Sequence, residues 1–322
     1  MNPLIDRIKG DVAELEAELA RQSLEVSALN KVTETQTEQV HKLEEQRDSL
    51  IGQLLERAPE HPAASSPHYD PEGKDLRQMR KGHLDLIERV LIGTLTSDPP
   101  LPVFGQTAFE ADKRQRGLDW PSSAFSMIGA ARMHNLRLLM ERVIADGIPG
   151  DFVETGVWRG GASMMAKAVI EAYGETTRSV YLADSFAGLP EPNPQKYPMD
   201  EGLNLNLYSD LAVSEEEVRG NFEKMNLLDE RVITVKGWFR DTMPNFPAKR
   251  IALLRLDGDL YESTIDPLNF LYDRVSTNGW IIVDDYECFA ACQQAVVDFM
   301  NGRGLNPIIQ HIDGVGVFFQ KV

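Results

Sequence analysis

The chain is poor in positive charge, in cysteine and in long apolar runs, and its second half holds almost no histidine. Thirty-three Lys and Arg stand against 50 Asp and Glu, a formal net charge of −17. Binding to a phosphate backbone or an anionic lipid surface needs clustered cations that displace counterions, so nucleic acid is not expected as a partner. No run approaches the roughly 18 apolar residues that span a bilayer. The opening MNPLIDRIKGDVAELEAEL is charged throughout, where a signal peptide is apolar. The expectation is a cytoplasmic protein without a membrane span. The two cysteines, Cys288 and Cys292, stand four apart, which suits one face of a helix and neither a zinc knuckle nor a CxxC pair. Core packing as free thiols is expected. The six histidines fall at 41, 61, 68, 83, 134 and 311. None lies between Asp151 and Gln310, so the loops of that region cannot supply a histidine base.

What is present is a chain of 322 residues, 42% of them hydrophobic, enough for a sizeable folded core. From Ile5 onward, positions such as Ile8, Val12, Leu15 and Leu19, and later Val40, Leu43, Leu50 and Leu54, follow alternating steps of three and four amid Glu, Gln and Lys. Residues 1–57 therefore read as a coiled coil, which cannot bury its seam alone. A homo-oligomer or a coiled-coil partner is expected, with a solitary charged helix as the alternative. Gln22, Thr33, Gln36 and Arg47 weaken the middle of the seam. The segment APEHPAASSPHYDPEGKD, residues 58–75, is rich in Pro, Ala and Ser and reads as a linker. Residues 76–150 read as a helical layer, in which Ser122 or Ser123 could cap a helix carrying Met127, Leu136, Leu139 and Val143.

From Asp151 to the last residue the texture changes. DFVETG, SVYLAD, RVITVKG, IALLRLDG and GWIIVDD are nearly continuous apolar runs, each followed by a helical or loop segment. Continuous apolarity means burial on both faces, and the alternation means a parallel, doubly wound α/β sheet. PIIQHI and VGVFFQKV are joined by DG with no room for a crossover helix, so the last strand must run antiparallel. Seven strands with the last one antiparallel make the sheet of class I methyltransferases, and residues 151–322 are expected to form it.

Ligands of such sheets collect at the carboxyl ends of the strands. The first strand ends in ETGVWRGGAS, where Gly156, Gly160 and Gly161 would let a backbone approach a ligand or would merely tighten a turn. The spacing is not the GxGxxG of dinucleotide folds. The second strand ends at Asp184, which could accept from two ribose hydroxyls or cap the following turn. After the third strand, Trp238 and Phe239 could flank an adenine or pack in the core. The fourth and fifth strands both end in paired carboxylates, LDGD and VDDYE. Crowded carboxylates repel one another, and a hard divalent cation relieves that repulsion; capping of the following helix is the plainer role for the second pair.

Taken together, DWPSSAFSMIG, IPGDFVETGVWRGGAS, LADSFAGLP, LRLDGDLYEST and IIVDDYE resemble the TylF-type macrocin O-methyltransferase family over roughly residues 78–322. The resemblance implies an S-adenosylmethionine-dependent enzyme that methylates a sugar hydroxyl of a glycosylated natural product or glycan. It implies Mg²⁺ on Asp257, Asp284 and Asp285, and gives Asp257 a second role as general base. Asp259 is left as a neighbour of the ligands or a helix cap. The cofactor-binding set implied is Glu154, Thr155, Gly156, Gly160, Ser163, Asp184, Ser185, Gly237, Trp238, Phe239 and Asp257. His134 is expected on a helix surface. The Pro- and Gly-containing segment 191–210 has the length of a lid over the acceptor. Other readings are a metal-dependent methyltransferase of a catechol or other vicinal diol, a nicotinamide oxidoreductase, and an inactive scaffold for the coiled coil.

Overall fold

The computed structural model describes residues 71–321. The segment read as a coiled coil, and the linker up to residue 70, lie outside the described residues. The first helix among the described residues, α1 (Pro71–Leu91), starts inside the stretch read as linker. Proline suits a first helical turn because its missing N–H would have had no intrahelical acceptor. Two further helices, α2 (Ala111–Gln115) and α3 (Gly129–Ala145), complete the layer that precedes the sheet.

The α/β part runs β1 (Asp151–Thr155), α4 (Gly161–Ala172), β2 (Val180–Asp184), α5 (Glu215–Lys224), β3 (Val232–Lys236), α6 (Phe239–Thr242), β4 (Ile251–Leu256), α7 (Tyr261–Leu271), β5 (Val275–Val283), α8 (Ala290–Arg303), β6 (Gln310–His311) and β7 (Val317–Gln320). The seven strands are ordered β3-β2-β1-β4-β5-β7-β6. β1 to β5 are parallel, and β7 runs antiparallel to both β5 and β6. This is the expected sheet. β6 is shorter than PIIQHI suggested and sits at the edge, where Pro307 offers no N–H to a ladder.

Side chains alternate between two cores, as a strand's period of two requires. Phe152 and Leu253 pack beneath α1, α3, α4 and α5; Val153 and Leu254 pack against α7 and α8 on the other face. The helical layer thus completes one side of the sheet. Among the described residues no helix is long and apolar enough to cross a membrane.

Two local expectations are corrected. Ser122 and Ser123 do not cap α3; both hydroxyls donate to Asp98, each at 2.7 Å, and α3 starts after Ile128 without a side-chain cap. A carboxylate in reach outcompetes a helix end six residues away. α8 starts at Ala290, so only Cys292 is buried on it; Cys288 precedes the helix and is exposed. Strand β1 meets α4 through a turn whose glycines serve packing, as described below.

The segment between α1 and α3 is fixed by a fully buried Arg114. It donates to both oxygens of Asp119, at 2.8 and 2.8 Å, and to the carbonyls of Ile92 (3.2 Å) and Asp98 (2.8 Å). Removing one partner of a buried pair strands the other charge, so Arg114→Ala is expected to lower stability by about 3–5 kcal/mol. Urea unfolding followed by circular dichroism measures it, and a loss below about 1 kcal/mol would reduce the pair to the worth of a surface ion pair.

Candidate active site

The strand order reverses between β1 and β4, and the two chains stay nearly in contact beyond the sheet. Asp257 N donates to the Thr155 carbonyl at 2.9 Å. A Cβ on Gly156 would lie 1.6 Å from the Asp257 carbonyl oxygen, and φ here is +89°. Only glycine fits, because the neighbouring strand occupies the space a side chain would need. A Cβ on Gly160 would meet Phe222 of α5 at 3.0 Å, and one on Gly161 the Phe125 carbonyl at 2.5 Å. These glycines let chain pack on chain, which their positions in ETGVWRGG did not reveal, and Gly156 and Gly161 also border the cleft.

Around this crossing lies a cleft of ≈ 550 Å³. It gathers most of the expected residues: Glu154, Gly156, Asp184, Ser185, Gly237, Trp238, Phe239, Asp257, Asp284 and Asp285 all line it. Thr155, Gly160 and Ser163 do not. Thr155 and Ser163 are fully buried behind the wall, and the Ser163 hydroxyl donates to Glu154. Asp184 accepts the N–H groups of Val157 and Phe186, each at 2.7 Å. Burial pushes its carboxyl upward against those two bonds. Each oxygen keeps lone-pair capacity toward the cleft.

The carboxylate cluster forms at the ends of β4 and β5. Asp257, Asp284 and Asp285 each offer an oxygen, and the three oxygens lie within 4.8 Å of one another. Two arginines share the negative charge. Arg255, buried in β4, donates from Nη1 to Glu154 (2.6 Å) and Asp257 (2.6 Å) and from Nη2 to Asp284 (2.5 Å). Arg132 of α3 donates to the other oxygen of Asp284 and, at 3.0 Å, to Asp313. Burial works against the charge of Asp284, yet these guanidiniums hold its carboxyl below the ordinary range. Asp285 has no such partner, and burial together with Asp259, Asp257 and Asp284 raises it far above that range. Burial and the charges of Asp257 and Asp284 likewise push Asp259 up to about 8.

Asp259 enters the cleft because the turn is tight. Its φ is +60°, its N–H donates to Asp285 at 3.3 Å, and a Cβ on Gly258 would meet that of Ser263 at 2.7 Å. Among the described residues its carboxylate has no hydrogen-bond partner.

Neither arginine was singled out in the sequence. Arg255 was detectable as a charge inside the apolar run IALLRL, since buried arginine needs partners; Arg132 gave no signal. The segment read as a lid does reach the cleft, through Leu205 and Tyr208. Its root is the buried Asp200, which accepts the N–H groups of Tyr261 (2.6 Å) and Glu262 (3.2 Å) at the start of α7. Farther along, the Trp158 indole donates to the Asp210 carbonyl at 2.9 Å, and Tyr208 meets the edge of Trp120 at 5.7 Å. His134 lies on the exposed face of α3, 3.3 Å from Glu88, and takes no part.

Comparison with known proteins agrees with this arrangement. The family model described as Macrocin-O-methyltransferase (TylF) matches residues 72–321. A tetracenomycin-C derivative 4′-O-methyltransferase of Streptomyces olivaceus is 46% identical over 242 residues, 74% of this chain and 92% of the relative. The demethyldecarbamoylnovobiocin O-methyltransferase of Streptomyces niveus is 42% identical over 243 residues, 74% of this chain and 93% of the relative. The solved structure of the O-methyltransferase NovP superposes with a TM-score of 0.73 at 42% identity, over 76% of this chain and 99% of that one. The chain belongs to the macrocin-O-methyltransferase (TylF) family and is an O-methyltransferase.

Proposed function

We propose that the enzyme uses S-adenosylmethionine and Mg²⁺ to methylate a sugar hydroxyl of a glycosylated natural product or glycan. One observation carries the reading: three carboxylate oxygens within 4.8 Å of one another share a cleft with the ends of β1 and β2. The acceptor class is supported by the Streptomyces olivaceus relative, named for a tetracenomycin that bears a dimethoxy-rhamnosyl group. Leu118, Trp120, Leu205, Tyr208 and Phe289 give the same cleft an apolar wall suited to the aglycone of such a molecule.

Asp257, Asp284 and Asp285 would hold the metal. Their donor set is all oxygen, which suits a hard cation, and the repulsion that raises Asp285 and Asp259 is what a divalent charge relieves. When bound, the cofactor supplies an electrophilic methyl group and the ion a positive charge that acidifies a neighbouring hydroxyl. The protein does the rest by placement. Asp184 keeps acceptor capacity for ribose hydroxyls, and Trp238 with Phe239 forms an aromatic wall for a purine. Tyr208 and Trp120 flank the apolar side of the cleft, where the acceptor would lie.

The hydrogen bonding supports dividing the two roles that the family resemblance placed on Asp257. One oxygen of Asp257 accepts from Arg255 at 2.6 Å, and Asp257 also offers an oxygen to the carboxylate trio. Asp259, unpartnered and facing the cleft, is the carboxylate open to take the hydroxyl proton.

Asp259→Asn is expected to lower kcat by about 10²- to 10⁴-fold while leaving calorimetric affinity for S-adenosylhomocysteine unchanged. An equal fall for Asp257→Asn with Asp259→Asn fully active would return the base to Asp257. The cofactor is tested by titrating S-adenosylmethionine, S-adenosylhomocysteine and NAD into the protein, with Mg²⁺ and with chelator. Saturable binding of the two adenosyl ligands with NAD silent is expected; binding by neither would overturn the reading.

A further inference from the structure

Arg132 occupies a slot shaped for it. Its side chain is 7% exposed and passes between two glycines: a Cβ on Gly117 would lie 2.6 Å from its Nη2, and one on Gly316 3.1 Å from its Cδ. Its outer end is fixed by Asp313, which accepts Nε at 3.0 Å. Asp313 is itself held by the N–H groups of Val315 and Gly316, each at 3.0 Å. Residues of the helical layer and of the β6–β7 turn thus converge on one guanidinium, and that guanidinium donates to Asp284.

The consequence lies in what Asp284 has left to give. One oxygen accepts from Arg132 and the other from Arg255 at 2.5 Å. Two guanidiniums, one on each oxygen, fix the rotation of this carboxylate, whereas Arg255 alone would leave it free to rotate until both oxygens faced one ion. Mg²⁺ takes six ligands at short distance and accepts one oxygen per carboxylate, whereas Ca²⁺ takes six to eight and often binds a carboxylate through both oxygens. We propose that Arg132 is a positioning residue that sets the choice of cation: by holding Asp284 to one-oxygen ligation, it favours Mg²⁺ over Ca²⁺. The proposal rests on the reading of Asp257, Asp284 and Asp285 as metal ligands.

The test is a calorimetric titration of the full chain and its variants with MgCl₂ and, separately, CaCl₂, in the absence of acceptor. The unaltered protein should bind Mg²⁺ more tightly. Arg132→Met, which fills the slot but donates nothing, should raise the ratio of Ca²⁺ to Mg²⁺ affinity by about tenfold, or ~1.4 kcal/mol. Asp313→Asn loosens only the outer anchor and should move the ratio the same way by less. Circular dichroism establishes that each variant folds; if Arg132→Met does not, Asp313→Asn carries the test. An unchanged ratio in the folded variants, or no preference in the unaltered protein, would overturn the proposal while leaving the metal site standing. An unaltered protein that binds neither ion would instead remove the metal reading and this inference with it.

Discussion

Everything at the carboxyl end of the sheet depends on one guanidinium placed inside it. Arg255 is 1% exposed and stands within 2.6 Å of Glu154 and Asp257 and 2.5 Å of Asp284. These come from three adjacent strands or their ends. Without a cation these carboxylates could not all stay ionised: unit charges 4.8 Å apart repel by on the order of 3 kcal/mol at an effective dielectric of about 20. Several such pairs would rival the stability of a whole domain. Conversely, a guanidinium could not remain buried without the carboxylates, since its desolvation costs several kcal/mol. Each side makes the other tolerable, so the packing of β1, β4 and β5 brings the site's charges together.

That arrangement also fixes what surrounds it. The turn after β4 carries Asp257 and Asp259 and leads directly into α7, whose first N–H groups are accepted by Asp200 from the segment above. The far part of that segment leans on Trp158, which lies in the turn after β1. The cover of the cleft is therefore tied to both strands that meet at the crossing. Its position follows from the geometry of β1 against β4, as does the space left beneath it for acceptor and donor together.

The architecture was legible because its signals are local and repeated. Five apolar runs alternating with helices can hardly be other than a parallel sheet, and carboxylates where apolar runs stop are placed at strand ends by that fact alone. What stayed hidden were partners far apart in sequence. Arg255 meets Glu154 across 101 residues and Arg132 meets Asp284 across 152, distances over which no periodicity speaks. The same holds for smaller errors. Ser122 and Ser123 look like helix caps until Asp98, more than twenty residues earlier, claims their hydroxyls. The glycines of ETGVWRGG give no sign in the sequence of the Asp257 carbonyl and the Phe222 ring that stand where side chains of Gly156 and Gly160 would be. Local chemistry named the candidates, and only tertiary contact showed which of them line the cleft.

Asp184 and Asp259 mark the two ends of one logic. Both are acids drawn upward by burial, but they are held differently. Two backbone N–H groups fix Asp184 from behind, so its remaining lone pairs point in set directions; such a carboxylate is suited to accept hydrogen bonds from a ligand and keep it in place. Asp259 sits in a left-handed turn with no donor on its oxygens among the described residues, and the charges of Asp257 and Asp284 favour its taking a proton. A carboxylate already satisfied by donors would gain little from a proton, whereas one surrounded by like charge gains much. The distinction between holding and accepting therefore follows from who donates to each acid. On the proposed function, it would put recognition at the β2 end of the cleft and proton transfer at the β4 end.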